Sequence, residues 1–303
     1  MRVLLLVNAT ASSVTARRRV MIRKLLSAQH EVEVAETSRR GHATRLARAA
    51  ANDGFDVVVV LAGDGTLNEA ADGLLQTDTA LAPLPGGSTN VYARTLGYST
   101  DAIDATGELL RALARGSTKR IGVGRVNRRP FLFNSGLGFD AAVIRRVERY
   151  GELKRHFSHS LHVASAFEAF FRHEGTRTLL DLELDTGEVI EGARFVIVSK
   201  TDPYTYLGRF PLHIAPEAGL ERPLSVTAFR ALDAFTLLGG WASAMRSGQF
   251  LEQRRGVDHR RDLHHIIVRS GDPFAYQVDG DDVGDTQHLD IEYEPDALTV
   301  VIP

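Results

Sequence analysis

Two glycine-containing turns follow aliphatic runs in the first third of the chain, and each could bring backbone N–H groups close to a phosphate. The first, Gly63-Asp64-Gly65-Thr66, comes directly after Val57 to Ala62, and the second is Pro85-Gly86-Gly87-Ser88. Glycine permits a close backbone approach, and a helix N-terminus adds partial positive charge. Spacing alone leaves two interpretations open. The first turn is either a phosphate site or a tight strand–helix turn in which Asp64 and Thr66 act as caps, with the helix starting behind Thr66.

A third turn strengthens the case for a ligand at this position of the fold. Asn8-Ala9-Thr10-Ala11-Ser12 follows the first aliphatic run, Val3 to Val7. Parallel strands bring such turns to one sheet edge, where ligands of open α/β sheets bind. The chain has no Gly-x-x-x-x-Gly-Lys-[Ser/Thr] segment, and Asn68 stands where a third dinucleotide-type glycine is expected. The pattern therefore favours a nucleotide site of another class.

The elements that position these turns alternate between strand and helix over residues 1–120. Strand-like runs are Val3–Val7, Val32–Ala35, Val57–Leu61 and Leu81–Leu84, and helix-like stretches are Met21–Leu26, Leu46–Ala51, Leu67–Leu75 and Val91–Leu96. This order predicts an α/β domain with a parallel sheet.

The pattern changes near residue 120, and short strand-like runs separated by turn signals predominate in residues 121–303. They are Phe131–Phe133, Leu179–Leu184, Val189–Val198, Leu224–Phe229, Ile266–Val268 and Ala275–Val278. This pattern predicts an antiparallel all-β domain with two helical insertions, near 141–171 and 234–250. The last strand, Ala297 to Ile302, is expected to pair with either domain.

Composition excludes several classes of protein. A chain of 303 residues is long enough for two domains, and 36 basic against 38 acidic residues give no excess charge for nucleic acid. The absence of cysteine excludes thiolate metal sites and cysteine nucleophiles. No run approaches the ~18 apolar residues of a membrane span. We therefore expect a cytoplasmic protein without a nucleic-acid partner.

The glycine turns and several other segments together resemble the diacylglycerol kinase catalytic domain, which bacterial soluble lipid kinases share with sphingosine and ceramide kinases. The matching segments are Thr37 with Gly41-His42-Ala43, Gly63 to Glu69, Pro85 to Asn90, Phe133 to Asp140 and Val278 to Asp281. The resemblance implies an N-terminal α/β nucleotide-binding domain followed by a β-sandwich lipid domain.

The resemblance also assigns roles to residues of this sequence. ATP would be held by Asn8, Ala9, Thr10, Ala11, Ser12, Thr37, Gly63, Asp64, Gly65, Thr66, Leu67, Asn68, Glu69, Gly87 and Ser88. Asp64 would also organise Mg²⁺, and Asp281, where the family usually has Glu, would accept the proton of the acceptor hydroxyl. Ala62 replaces a family glycine, which requires a negative φ. From the residues alone, Asp279-Gly280 is a hairpin turn whose acids face solvent.

Two positions depart from the family pattern. Gly122 stands where family members carry an acidic residue in a water network near the active site. Arg222 stands where they carry an acid that helps to hold a structural Mg²⁺ in the second domain. We expect that metal site to be lost, and Arg222 itself is a candidate for supplying the positive charge.

The resemblance implies an ATP- and Mg²⁺-dependent lipid kinase that transfers the γ-phosphate to a lipid hydroxyl, with conversion of diacylglycerol to phosphatidic acid as the first expectation. Its partner would be a lipid at the membrane surface, with peripheral membrane association and a homodimer as further expectations. Two alternatives remain open. One is a kinase of a small soluble hydroxyl compound, and the other is a non-catalytic nucleotide- or lipid-binding homologue.

Overall fold

The computed structural model describes residues 1–138, 178–230 and 256–303. These residues divide into two compact units, Met1–Val123 with Glu294–Pro303, and Gly124–Tyr293. The helical insertions predicted near 141–171 and 234–250 lie outside the described residues, as do Phe139 and Asp140 of the family-like segment. Among the described helices, none combines the length and apolar character needed to cross a bilayer.

The first unit is built from parallel strands connected by helices. Its elements are β1 (Arg2–Val7), α1 (Ala16–Ser27), β2 (Glu31–Glu36), α2 (His42–Asn52), β3 (Val57–Ala62), α3 (Asp64–Leu74), β4 (Ala80–Pro85), α4 (Val91–Thr95), α5 (Ala102–Ala114) and the first part of β5 (Thr118–Val126). Strand β1 pairs in parallel with β2 and β3, and β3 pairs in parallel with β4. The predicted parallel α/β architecture is confirmed.

Burial explains why the central strands β3 and β4 could be predicted from the sequence. Every residue of β3 and β4 is buried, so both strands are continuous apolar runs, as expected for strands covered on both faces. Helix α3 begins at Asp64 and not behind Thr66, so the predicted start at Leu67 was three residues too late. Helix α5 was not predicted, although Asp101 caps its N-terminus and accepts hydrogen bonds from the amides of Ile103 and Asp104.

The second unit consists, in its described part, of strands. They are the end of β5, β6 (Arg129–Phe131), β7 (Asn134–Gly138), β8 (Leu180–Leu184), β9 (Val189–Ala193), β10 (Phe195–Ser199), β11 (Thr205–Leu207), β12 (Phe210–Leu212), β13 (Leu224–Phe229), β14 (Val257–Leu263), β15 (His265–Val278) and the first part of β16 (Asp281–Val301). Antiparallel pairs run in the order β14-β13-β10-β7-β15-β16, with β8 on β15 and β9 on β8. Buried aliphatic side chains of β8, β10, β13 and β15 form its core.

Three predicted strands in this unit have wrong limits. Of the predicted strand Phe131–Phe133, only Phe131 lies in a strand, the last residue of β6, and Leu132 and Phe133 form a bend before β7. The run from Val189 to Val198 is two strands, β9 and β10, which are separated by a bend at Arg194. The two runs at Ile266 and Ala275 are one strand, β15, whose pairing with β16 is irregular between Arg269 and Phe274. The polar residues at that irregularity conceal the strand's continuity in the sequence.

The C-terminal segment belongs to the first unit. Residues Glu294–Pro303 form part of that unit, and Val300 of β16 pairs in parallel with Leu81 of β4. The chain therefore leaves the first unit within β5 and returns to it within β16.

Candidate active site

The predicted ATP-binding residues of the first unit follow the carboxyl ends of four neighbouring strands. Asn8 follows β1, Thr37 follows β2, Gly63 follows β3 and Gly86 follows β4. Because these strands are parallel, their following loops lie at one edge of the sheet. The structure thus brings together segments that are up to 80 residues apart in the sequence, from Asn8 to Ser88.

The two glycine turns pack backbone against backbone. A Cβ added to Gly87 would lie 2.7 Å from Cα of Gly63, and one added to Gly86 would lie 2.8 Å from the backbone nitrogen of Ala62. Real Cβ atoms do not approach other heavy atoms so closely, so both positions require glycine for contact between the turns. Ala62 is the last residue of β3 and has no positive φ, so the condition for its replacing a glycine is met.

The loop after β1 is joined to both turns by hydrogen bonds. The Nδ2 group of Asn8 donates to Oγ1 of Thr66 at 3.1 Å, while its Oδ1 accepts from the Thr10 amide at 3.1 Å. Ser13, which the sequence analysis did not select, donates its backbone N–H to the Gly86 carbonyl at 2.9 Å and its hydroxyl to the Gly87 carbonyl at 3.2 Å. These bonds fix the loop of residues 8–12 relative to the glycine turns.

Two carboxylates of α3 cap neighbouring helices. Asp64 accepts hydrogen bonds from the amides of Val91 (3.0 Å) and Tyr92 (3.2 Å) at the start of α4. Glu69 accepts from the amides of Gly41 (2.8 Å) and Ala43 (3.2 Å) at the start of α2. Both acids therefore satisfy helix N-termini that would otherwise lack partners.

The N-terminus of α3 itself remains open. Its first-turn amides at Gly65 and Thr66 have no hydrogen-bond acceptor among the described residues, whereas α1, α2 and α4 are capped by Thr15, Glu69 and Asp64. Open amides at a helix N-terminus, at the carboxyl edge of a parallel sheet, form an anion site. This is the position that a phosphate group fits.

The remaining predicted ATP-binding residues differ in how far their side chains are exposed. Ala9, Thr10, Ser12 and Ser88 are exposed, and Thr37 is half-buried. Leu67 and Asn68 are 4% and 2% exposed, so their side chains lie within the unit and away from the surface of the edge. Of the segment Gly63 to Glu69, the part accessible at the edge is Gly63 to Thr66 together with Glu69.

In the second unit, Asp279 and Gly280 form the two-residue turn between β15 and β16. Their φ values of 49° and 82° are those of the type I′ turn that fits the twist of a hairpin. The predicted hairpin is present, but its acids do not all face solvent. Asp279 is 4% exposed, and its carboxylate accepts hydrogen bonds from the amides of Leu132 (2.8 Å), Phe133 (3.0 Å) and Asn134 (3.1 Å).

Asp281, the predicted base, is the first residue of β16 and pairs with Val278 across the hairpin. Its Oδ2 atom accepts a hydrogen bond from Nη2 of Arg129 at 2.7 Å, and 23% of its side chain is exposed. The Gln277 side chain links the turn to β7, because its Oε1 accepts from the Gly280 amide at 2.8 Å and its Nε2 donates to Oδ1 of Asn134 at 2.9 Å. Asp281 is thus accessible and held on a rigid turn.

Comparison with known proteins finds one family match, in the first unit, and solved structures of the same fold. Residues 2–126 match the family model of the diacylglycerol kinase catalytic domain. The predicted resemblance to this family is confirmed. Diacylglycerol kinase of Bacillus subtilis is 34% identical over 121 residues, which cover 39% of each chain. An uncharacterized protein of Synechocystis is 23% identical over 258 residues, which cover 83% of this chain and 56% of that protein.

The chain matches no more than about half the length of these curated relatives. A crystal structure of a diacylglycerol kinase from Bacillus anthracis covers 100% of this chain and 97% of its own, with a TM-score of 0.78 and 22% identity. A second, of a putative diacylglycerol kinase from the same organism, has a TM-score of 0.77 and 21% identity over 100% of this chain and 95% of its own. The fold is therefore that of the diacylglycerol kinase structures.

The two departures from the diacylglycerol kinase pattern lie at different depths. Gly122 is buried within β5. Arg222 is about half exposed, and its Nη2 donates to Oδ2 of Asp262 at 3.1 Å. The loss of the structural Mg²⁺ site at Arg222 stays a prediction.

The two most buried histidine–carboxylate pairs among the described residues of the second unit were missed by the sequence analysis. His259 contacts Oε1 of Glu217 at 2.9 Å through Nε2 and Oγ1 of Thr227 at 2.9 Å through Nδ1. Burial raises the pKa of Glu217, but hydrogen bonds from His259 and Ser225 outweigh burial and lower the pKa to about 2. The second pair joins Nδ1 of His213 to Asp202, whose pKa is raised by burial. Partners 11 to 42 residues apart leave no local sequence signal.

Proposed function

We propose that this protein is an ATP-dependent kinase that transfers the γ-phosphate of ATP to a lipid hydroxyl, with diacylglycerol as the first acceptor to test and phosphatidic acid as its product. The observation that carries the proposal is the open N-terminus of α3 beside the interlocked glycine turns. This anion site lies within residues 2–126, which match the diacylglycerol kinase catalytic domain.

Phosphate binding would use the backbone more than side chains. The Gly65 and Thr66 amides supply hydrogen-bond donors, and the loop of residues 8–12 with Ser88 contributes exposed hydroxyl and amide groups at the same edge. Mg²⁺ prefers oxygen ligands and usually keeps several waters, which suits a carboxylate that is itself hydrogen-bonded. Asp64 fits this requirement, and a bound Mg²⁺ would neutralise charge on the phosphate oxygens.

Asp281 would accept the proton of the acceptor hydroxyl. A positioned carboxylate is a competent general base. The rigid turn holds Asp281, while Arg129 orients its carboxylate through the 2.7 Å bond. Asp279 acts on this arrangement only indirectly, since its carboxylate is fully engaged with three backbone amides.

The test is a transfer assay with γ-labelled ATP, Mg²⁺ and mixed micelles that contain diacylglycerol or another lipid alcohol, with glycerol as a soluble acceptor. We expect label in the organic phase for the wild type, loss of at least about 100-fold in Asp281→Asn, and little change in the exposed neighbour Asp285→Asn. Label found only in a water-soluble product would mean that the acceptor is a small soluble compound and not a lipid. Nucleotide binding without transfer to any acceptor would contradict catalysis.

A further inference from the structure

Lys200 is a lysine buried at the end of β10. Its exposed fraction is 1%, and its ammonium donates hydrogen bonds to the carbonyls of Gly219 at 2.8 Å and Leu220 at 3.2 Å. The ammonium also lies 5.6 Å from the centroid of the Tyr293 ring, within range of a cation–π interaction. A buried charge without compensation is strongly unfavourable, so these contacts are what makes the position tolerable.

The ammonium is held by neutral groups. Among the described residues, no ion pair involves Lys200. The acids near it in the chain are Asp202, just beyond β10, and Glu217 and Glu221 of the facing turn, and each has interactions of its own. Asp202 accepts hydrogen bonds from the amides of Ile214 and Ala215, and Glu217 is paired with His259. Backbone carbonyls that converge on one positive charge are ligands of the kind that proteins offer to bound cations.

Arg222 meets this turn through its backbone, whose N–H donates to the Gly219 carbonyl at 3.1 Å. Its guanidinium is bonded to Asp262 at 3.1 Å, and both side chains are about half exposed. The cation in contact with the carbonyls just before Arg222 is the Lys200 ammonium, which arrives from another strand.

We propose that the carbonyls of Gly219 and Leu220 form a cation-binding site that the Lys200 ammonium fills in the folded protein. The turn of residues 215–222 therefore needs no divalent metal. The site would accept a primary ammonium or a small metal cation if the lysine were removed. This inference does not depend on the proposed kinase activity, because it concerns only contacts within the second unit.

Protonation of Lys200 is compatible with this role. Burial lowers the pKa of Lys200 to about 8, so the amine is mostly protonated at neutral pH. The ammonium contacts the two carbonyls, of which that of Gly219 also accepts from the Arg222 backbone N–H at 3.1 Å, and the Tyr293 ring. The ammonium should therefore titrate well below an exposed lysine.

The first test observes the wild-type protein directly. The chain contains four lysines, Lys24, Lys119, Lys154 and Lys200, so ¹⁵N-lysine labelling gives a simple Nζ spectrum. We expect one ammonium signal with slow hydrogen exchange that titrates near pH 8, and its absence from Lys200→Met would assign it. Four rapidly exchanging signals that titrate together would overturn the proposal.

The second test is chemical rescue, read as the thermal unfolding midpoint without nucleotide. Lys200→Ala leaves space for a small ligand, so ethylammonium or Mg²⁺ should raise its midpoint by about 4 °C at saturating concentration. Tetramethylammonium has no N–H donor, so it should not raise the midpoint of Lys200→Ala as ethylammonium does. Lys200→Met fills the space without a donor and Lys24→Ala removes an exposed lysine, so neither should respond. Equal stabilisation of the wild type and Lys200→Ala by Mg²⁺, or no rescue by any cation, would overturn the proposal.

Discussion

The Asp64 carboxylate caps a neighbouring helix, since its Oδ2 accepts the hydrogen bond of the Val91 amide at 3.0 Å. Glu69, one turn further along α3, does the same for α2 through Gly41 and Ala43. One helix thus completes the N-termini of two others while its own N-terminus remains open. The acids that the family resemblance assigns to ATP and Mg²⁺ therefore also organise the edge at which a phosphate would bind.

The capping role of Asp64 can be measured apart from nucleotide binding. Asp64→Ala removes the acceptor for two amides, and we expect it to lower the free energy of unfolding by about 1–2 kcal/mol. Asp64→Asn keeps one acceptor oxygen, so its loss in the free energy of unfolding should be about half of the loss in Asp64→Ala. Urea unfolding without nucleotide checks both values. Asp104→Ala, in the exposed first turn of α5, is the control, and an equal loss there would contradict a specific cap.

Contact between the glycine turns predicts a steric effect at Gly87. A Cβ at this position would lie 2.7 Å from Cα of Gly63, so Gly87→Ala must push the turns apart. We expect a loss of about 1–3 kcal/mol in the free energy of unfolding, together with weaker ATP binding. Chemical unfolding and calorimetric titration with ATP measure the two effects. Gly271→Ala, where a Cβ meets nothing within 4 Å, should leave both unchanged.

The sequence predicted what local patterns encode. Strands β3 and β4 could be predicted because every residue in each is buried and apolar runs result. The turns that follow them carry glycines that the packing requires. Helix α5 was missed although buried Ala105, Leu109 and Ala112 recur at helical spacing.

Long-range partners explain what the sequence could not predict. Asp279 sits in an Asp-Gly turn, a signal typical of solvent-facing hairpins, yet its carboxylate is buried against amides about 145 residues earlier. Lys200 follows an ordinary buried strand, and only the folded chain brings the carbonyls of Gly219 and Leu220 to it. In both cases the partner that decides the role is distant in sequence.

Burial of Asp279 predicts a large effect for a nearly isosteric change. Asp279→Asn removes the negative charge that three amides share and turns an NH₂ group toward one of them, so we expect a loss of about 3 kcal/mol in the free energy of unfolding. Asp285→Asn, at an exposed position of β16, should stay within about 0.5 kcal/mol of the wild type. Urea unfolding of both variants measures the difference, and similar values would show that the three amides have other acceptors.

The Glu217–His259 pair predicts how stability depends on pH in the acid range. The pKa of Glu217 falls from its ordinary 4.5 to about 2 in the folded protein. The unfolded chain therefore takes up this proton first, so the stabilisation from Glu217 is complete above about pH 5 and is lost as pH falls toward 2. Allowing for solvent screening, we expect the wild type to lose roughly 2 kcal/mol relative to Glu217→Gln over this interval.

Urea unfolding of both proteins between about pH 6 and about pH 3 would follow this difference, which should narrow steadily as the solution becomes more acidic. Glu183→Gln provides the matched control, because Glu183 pairs with Arg269 on the surface and 53% of its side chain is exposed. Its difference from the wild type should hardly change with pH. A Glu217→Gln curve that ran parallel to the wild type would mean that His259 and Ser225 do not stabilise the ionised carboxylate, and that the pair is held by packing alone.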